Sequence, residues 1–270
     1  MYESLTVSRP VPRLDDLRVS RMTVPGCSWG PPPGAVALAI GEVHVWCATL
    51  DQPTSQFLRL AQMLSADEHA RADRYCFTRD RQHFIVGRAL LRVILGRYLD
   101  VEPDRLRFAY SYHGKPSLAE PFGSGILRFN VSHSQGLALY AVARDRQIGV
   151  DLERTRPVDD LEQIAERFFS PREHAALRAL PTQMKHEAFF NCWTRKEAYV
   201  KARGDGLSLP LDQFDVSLGP GDPARLLHNE REPQEVTRWS LQELTPAPGY
   251  IAALAIEGHG RQIRCRQWTA

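Results

Sequence analysis

The sequence predicts an α+β chain built from two similar halves. Three observations carry this: two helix-start signals 105 residues apart, a long helix after each, and short apolar strands between them. Ser65-Ala66-Asp67-Glu68 is a capping box, in which the serine hydroxyl and the glutamate carboxylate satisfy free amides at a helix start. Phe84, Ile85, Leu90, Leu91, Ile94, Leu95 and Tyr98 then recur mostly at three- and four-residue steps, the helical period. Ser170-Pro171-Arg172-Glu173 repeats the signal, with proline at the favoured first helical position, ahead of a helix over about 185–203. Side chains between the two boxes match poorly, so the repeat is one of plan.

Strands are expected at 36–40 and 43–46, from Val36 to Ile40 and Val43 to Trp46. Others follow at Ile126–Val131, at the wholly apolar Leu137–Ala143, and at Ile148–Leu152. The second half adds strands at 212–218, 236–244 and 250–256. Pro10, Pro12, Pro25 and the run Pro31-Pro32-Pro33 discourage regular structure. The expected organisation is therefore an extension over 1–35, an N-terminal half over 36–147, a C-terminal half over 148–258 and a tail over 259–270.

Composition sets limits. A chain of 270 residues, 43% hydrophobic and 24% charged, has ample material for a core. Thirty-four basic groups against 32 acidic ones give no bulk argument for nucleic acid, though Arg71, Arg74, Arg79, Arg81 and Arg88 form a local basic stretch. The five cysteines lack metal-site spacing, which argues against a disulfide framework or zinc site and for a reducing, cytoplasmic setting. No apolar run approaches the roughly 20 residues that span a bilayer, so no membrane role is expected.

Chemistry concentrates in two segments. Ile148-Gly149-Val150-Asp151-Leu152-Glu153 reads as a strand, so Asp151 and Glu153 share a face while Leu152 points into a core. Trp193-Thr194-Arg195-Lys196-Glu197-Ala198-Tyr199-Val200-Lys201 reads as helix, with Glu197 and Lys201 four apart on one flank. Alone, each segment reads as ordinary surface charge or an i,i+4 ion pair. Lys196 is harder to dismiss, because it falls on the apolar stripe of Phe189, Trp193 and Val200 and must extend outward or meet an anion there. Together, three carboxylates beside lysines suit a divalent cation holding a phosphate ester. Phe129-Asn130-Val131-Ser132-His133-Ser134 ends a strand in polar groups able to meet a phosphate, with Lys115 on a loop one strand upstream.

With these motifs in order, the chain resembles the 4′-phosphopantetheinyl transferases, specifically the long, surfactin-synthetase-activating (Sfp) type. The pattern (V/I)-G-(V/I)-D-x-E followed by W-(S/T/C)-x-K-E-(A/S)-x-x-K is present without departure at 148–153 and 193–201. Gly114-Lys115-Pro116, residues 129–134, Arg167-Phe168-Phe169-Ser170 with Glu173, and Gly204 to Pro210 are similar to further family motifs. The resemblance implies two pseudo-symmetric halves with the active site between them, in a monomer. It implies transfer of phosphopantetheine from coenzyme A to a serine of an acidic, helical apo acyl or peptidyl carrier protein, releasing adenosine 3′,5′-bisphosphate. By the same resemblance Asp151, Glu153 and Glu197 hold Mg²⁺, with Mn²⁺ as the alternative ion. Lys201 and Lys196 stabilise the departing phosphate. Arg71, His83, Lys115, Ser132 and His133 contact the nucleotide. Glu173 takes the serine proton, unless its capping role occupies it.

One departure stands in the nucleotide contacts: Glu68 and His69 occupy positions where the family usually has a lysine or arginine. Phe168, Phe169 and the arginine-rich helix are the expected carrier-docking surface. Two other classes compete, a Mg²⁺-dependent phosphohydrolase on the same carboxylates and a non-catalytic module that binds coenzyme A or carrier protein.

Overall fold

Val43-His44-Val45-Trp46-Cys47-Ala48 is apolar apart from His44, and it forms the middle of strand β1 (Glu42–Thr49), buried from both faces. The computed structural model describes residues 28–31, 36–123, 126–204 and 206–269. After β1 come helices α1 (Thr54–Ala61), α2 (Ala66–Ala72) and α3 (Thr78–Leu99), then strands β2 (Phe108–Tyr110), β3 (Pro116–Leu118), β4 (Leu127–Ser134), β5 (Leu137–Arg144) and β6 (Ile148–Arg154). The rest adds α4 (Leu161–Phe168), α5 (Pro171–Ala179), α6 (Thr182–Arg203), β7 (Phe214–Val216), β8 (Leu226–Asn229), α7 (Glu235–Arg238), β9 (Trp239–Leu244), β10 (Tyr250–Glu257) and β11 (Gln262–Gln267).

One sheet has the order β11-β1-β5-β4 and the other β6-β10-β9. The alternation of β1 and β5 explains how they stack. Trp46, Ala48, Tyr140 and Val142 face Val86, Leu90 and Ile94 of α3. Val43, Val45, Leu139 and Ala141 point the other way, onto Ile148, Val150, Leu254 and Ile256 of the second sheet. Ala253 and Ala255 on the far face of that sheet join the core that holds Ala198, Tyr199 and Ala202 of α6. The order is helix, sheet, sheet, helix. Each half has a 22-residue helix, α3 or α6, preceded by a capping-box helix, α2 or α5. This is the two-halved α+β plan read from the sequence.

Several expectations change. Val36–Ile40 is not a strand; Leu38 joins the α3 core, while Ile40 is 93% exposed. The stretch 259–270, expected as a tail, contains β11, which pairs in parallel with β1. Its alternation is visible in the sequence: Ile263 and Cys265 pack on the intersheet core, with Arg264 between them and Arg266 after them. The proline-rich extension lies almost wholly outside the described residues. Cys265 is disulfide-bonded, which runs against the expected reducing setting, whereas Cys47, Cys76 and Cys192 are free. Among the described residues no helix is long and apolar enough to cross a membrane.

Candidate active site

Gly149 governs how the second half assembles its charged groups. It lies on the face of β6 shared with Asp151 and Glu153. A Cβ atom there would stand 2.1 Å from the Ala198 carbonyl oxygen and 2.3 Å from the Ala202 nitrogen. Only glycine lets α6 lie this close to β6, and that approach sets Glu197 and Lys201 against Asp151. Gly204, with φ at 83°, then ends α6 in the left-handed conformation that glycine adopts freely.

The Lys201 ammonium donates to Asp151 Oδ1 at 2.5 Å and to Ser132 Oγ at 3.2 Å. Ser132 Oγ also lies 3.0 Å from Asp151 Oδ1, and Ser134 Oγ donates to Glu153 Oε2 at 3.0 Å. Asp151 is buried, and its other oxygen, Oδ2, has no hydrogen-bond partner among the described residues. Burial, followed by the charge of Asp151, raises the pKa of Glu153. Burial and then Asp151 do the same to Glu197, with Glu153 contributing. Three carboxylates that feel one another, served by one ammonium, form a net negative centre. The orphaned oxygen and the all-oxygen donor set fit a hard divalent cation. Among the described residues, no three His, Cys, Asp or Glu side chains already converge on a common metal position.

Glu173 and Lys196 do not join this centre. Lys196 is wholly buried, and its ammonium donates to the carbonyls of Leu211 and Phe214 at 2.6 and 2.5 Å. It also pairs with Glu173 Oε2 at 2.7 Å. Glu173 is 3% exposed and accepts from the amides of Ser170 and Val216 at 2.9 and 2.7 Å. The lysine on the apolar stripe meets its anion inside the core, so the assignments of Glu173 as base and Lys196 as phosphate ligand give way to a structural pair. Glu173→Gln should therefore cost about 3 kcal/mol of stability, because it leaves the Lys196 charge buried and uncompensated. Turnover of the folded fraction should stay close to that of the unmodified chain. Chemical denaturation beside active-fraction kinetics checks both; a large loss of kcat at unchanged stability would restore the base.

The nucleotide residues divide into two groups. His133 and His83 line one groove of about 310 Å³ with Arg79, Tyr75 and Phe84. His83 contacts Asp51 Oδ1 at 2.7 Å. Desolvation lowers the pKa of His133, with the charges of Lys201 and His83 adding to it. Lys115 instead donates to the carbonyls of Lys201, Ala202 and Ile148 at 2.6, 3.1 and 3.4 Å, tying the β2–β3 loop to the end of α6. It also borders a second groove, of about 410 Å³, with Tyr110, Pro116 and Gly204. Arg71 is exposed, with its guanidinium over Phe84 and Tyr110. Ser132 is buried against Asp151 rather than open to a phosphate. Glu68, where a basic residue was expected, is buried between Arg88 and Arg92 at 2.5 and 2.7 Å. Asn130, Ser134 and Gly149 stand in motifs read from the sequence without a role of their own, and Asp51 stands in none. A period-two polar run facing Asp151 and Glu153 is the signal that identifies Asn130 and Ser134.

This geometry agrees with the family matches. Residues 147–255 match the model of the 4′-phosphopantetheinyl transferase superfamily, and residues 50–144 match that of the 4′-phosphopantetheinyl transferase N-terminal region. The 4′-phosphopantetheinyl transferase HetI of Nostoc sp. is 48% identical over 235 residues, which cover 87% of this chain and 96% of that protein. The 4′-phosphopantetheinyl transferase Sfp of Bacillus subtilis is 32% identical over 171 residues, covering 63% and 74%. With a two-halved α+β fold, these matches place the chain among the group-transfer enzymes. The chain belongs to the 4′-phosphopantetheinyl transferase superfamily. Within it, this is a transferase of the Sfp type.

Proposed function

We infer that the chain moves the 4′-phosphopantetheine group of coenzyme A onto a serine of an apo acyl or peptidyl carrier protein. The serine oxygen forms a bond to the phosphorus that bears pantetheine, and the hydroxyl proton is released to solvent. The pyrophosphate bond breaks, and adenosine 3′,5′-bisphosphate leaves. The observation that carries this reading is the buried Asp151, paired on one oxygen with Lys201 and, among the described residues, unpartnered on the other, with Glu153 and Glu197 close enough to feel its charge.

Asp151, Glu153 and Glu197 would hold Mg²⁺ or Mn²⁺, which when bound would supply charge for the pyrophosphate. Lys201 faces the same centre as a fixed cation, suited to the charge that builds on the leaving phosphate. His83, His133 and Arg79 make their groove fit an anionic end of coenzyme A. We place the reaction in the cytoplasm and in a monomer whose two halves serve one site.

For the carrier, Phe169 is closed off: it is 2% exposed and stacked on Phe189. Phe168 is half-buried against Trp193. Phe77 is 73% exposed and Tyr75 39%, among Arg74, Arg79 and Arg81. Arg79 and Arg81 pair with Asp51 and Asp73, so this surface offers exposed aromatic side chains with a partly basic margin, suited to an acidic helix. Phe77→Ser is expected to raise the carrier KM roughly tenfold at constant kcat; an unchanged KM would move the docking surface elsewhere.

A mass-shift assay of several apo carriers with coenzyme A and Mg²⁺ tests the reaction. Adenosine 3′,5′-bisphosphate should appear only when apo carrier is present. Hydrolysis of coenzyme A without carrier would favour a phosphohydrolase, and binding without turnover a non-catalytic module.

A further inference from the structure

Strands β4 and β6 belong to different sheets, yet they run side by side along the seam between the halves. Side chains do the work of a backbone ladder there. Asn130 Oδ1 accepts from the Val150 amide at 2.8 Å, Ser132 Oγ from Leu152 at 3.2 Å, and Ser134 Oγ from Arg154 at 3.2 Å. Every second side chain of β4 meets every second amide of β6, so the period of two on both strands fixes their register.

The two serines also act as donors. Ser132 gives its proton to Asp151 and Ser134 gives its proton to Glu153, both at 3.0 Å. A hydroxyl has one proton to donate and lone pairs to accept with, so both contacts can be made at once. Asn130 stands opposite the part of β6 where Gly149 offers no carboxylate, and there an amide oxygen that only accepts is sufficient. The chemistry of each β4 side chain follows what β6 presents.

We propose that Ser134, with Ser132 beside it, is a positioning residue of the cation site: it anchors the Glu153 carboxylate on the face it shares with Asp151 and so limits the turn needed to meet an ion. This rests on the transferase reading above. Neighbouring carboxylates repel and turn apart unless each is anchored, and ligands that must first be gathered bind an ion more weakly. Ser132 serves Lys201 as well as Asp151, so replacing it mixes two effects. Ser134 is half-buried and, of the three carboxylates, bonds Glu153, which makes it the cleaner probe.

The test titrates Mn²⁺ into the unmodified chain, Ser134→Ala and Ser134→Thr, with coenzyme A present and carrier absent, following free Mn²⁺ by electron paramagnetic resonance. Ser134→Ala should bind Mn²⁺ about tenfold more weakly, the usual loss when a partner of a metal ligand is removed. Ser134→Thr keeps the hydroxyl and should stay within about twofold of the unmodified chain, at matched melting temperatures. Unchanged binding in Ser134→Ala overturns the proposal, as does a threonine variant that loses as much as alanine. An unmodified chain that binds no Mn²⁺ overturns the cation site itself, a failure distinct from that of Ser134.

Discussion

Asp151→Asn is expected to lower kcat/KM for carrier modification roughly a thousandfold, equivalent to about 4 kcal/mol of transition-state stabilisation. Asparagine has nearly the shape of aspartate, so packing in this buried position is kept. What goes is the charge that pairs with Lys201 at 2.5 Å and that, with Glu153 and Glu197, makes the centre attractive to a cation. The melting temperature should not fall, because losing the Lys201 pair is offset by relief of repulsion with the other two carboxylates. Steady-state kinetics with an apo carrier, beside a thermal melt, separates the two effects. A loss smaller than about tenfold would remove Asp151 from the reaction.

The second large effect falls on the fold and reaches the site through it. Gly149→Ala places a methyl group 2.1 and 2.3 Å from backbone atoms of α6, neither of which is the end of a flexible side chain. The helix must move or the strand must twist. We expect a cost of about 3 kcal/mol or more. For a chain of this size that lowers the melting temperature by roughly 10 °C. Activity in the surviving fold should fall as well, since displacing α6 draws Lys201 and Glu197 away from Asp151. A variant with unchanged melting would show that α6 and β6 are less closely pressed than described.

These two residues also show what the sequence could and could not reveal. Asp151 and Glu153 were legible because strand alternation alone puts them on one face, and Glu197 and Lys201 because helical spacing does. The two-halved plan was legible because capping boxes and long periodic helices are local signals. Gly149 carries an equally local pattern, yet its purpose depends on a helix that begins 33 residues later. Glu173 and Lys196 misled for the same reason. Their types suit catalysis, and only the packing of α5, α6 and β7 shows that they satisfy each other in the core. Lys115 and Ser132 look like phosphate ligands in sequence but bond carbonyls and a carboxylate across the seam. Strand β11 was passed over because its alternation of Arg with Ile and Cys is short, and its partner β1 lies more than 200 residues earlier.

The central claim is that Asp151, Glu153 and Glu197 share one divalent cation beside Lys201. Anomalous diffraction from crystals grown with coenzyme A and Mn²⁺ tests it most directly. The account predicts a single strong Mn²⁺ peak bounded by oxygens of those three carboxylates. A peak elsewhere, or the three side chains turned apart around coenzyme A with no ion among them, would contradict it.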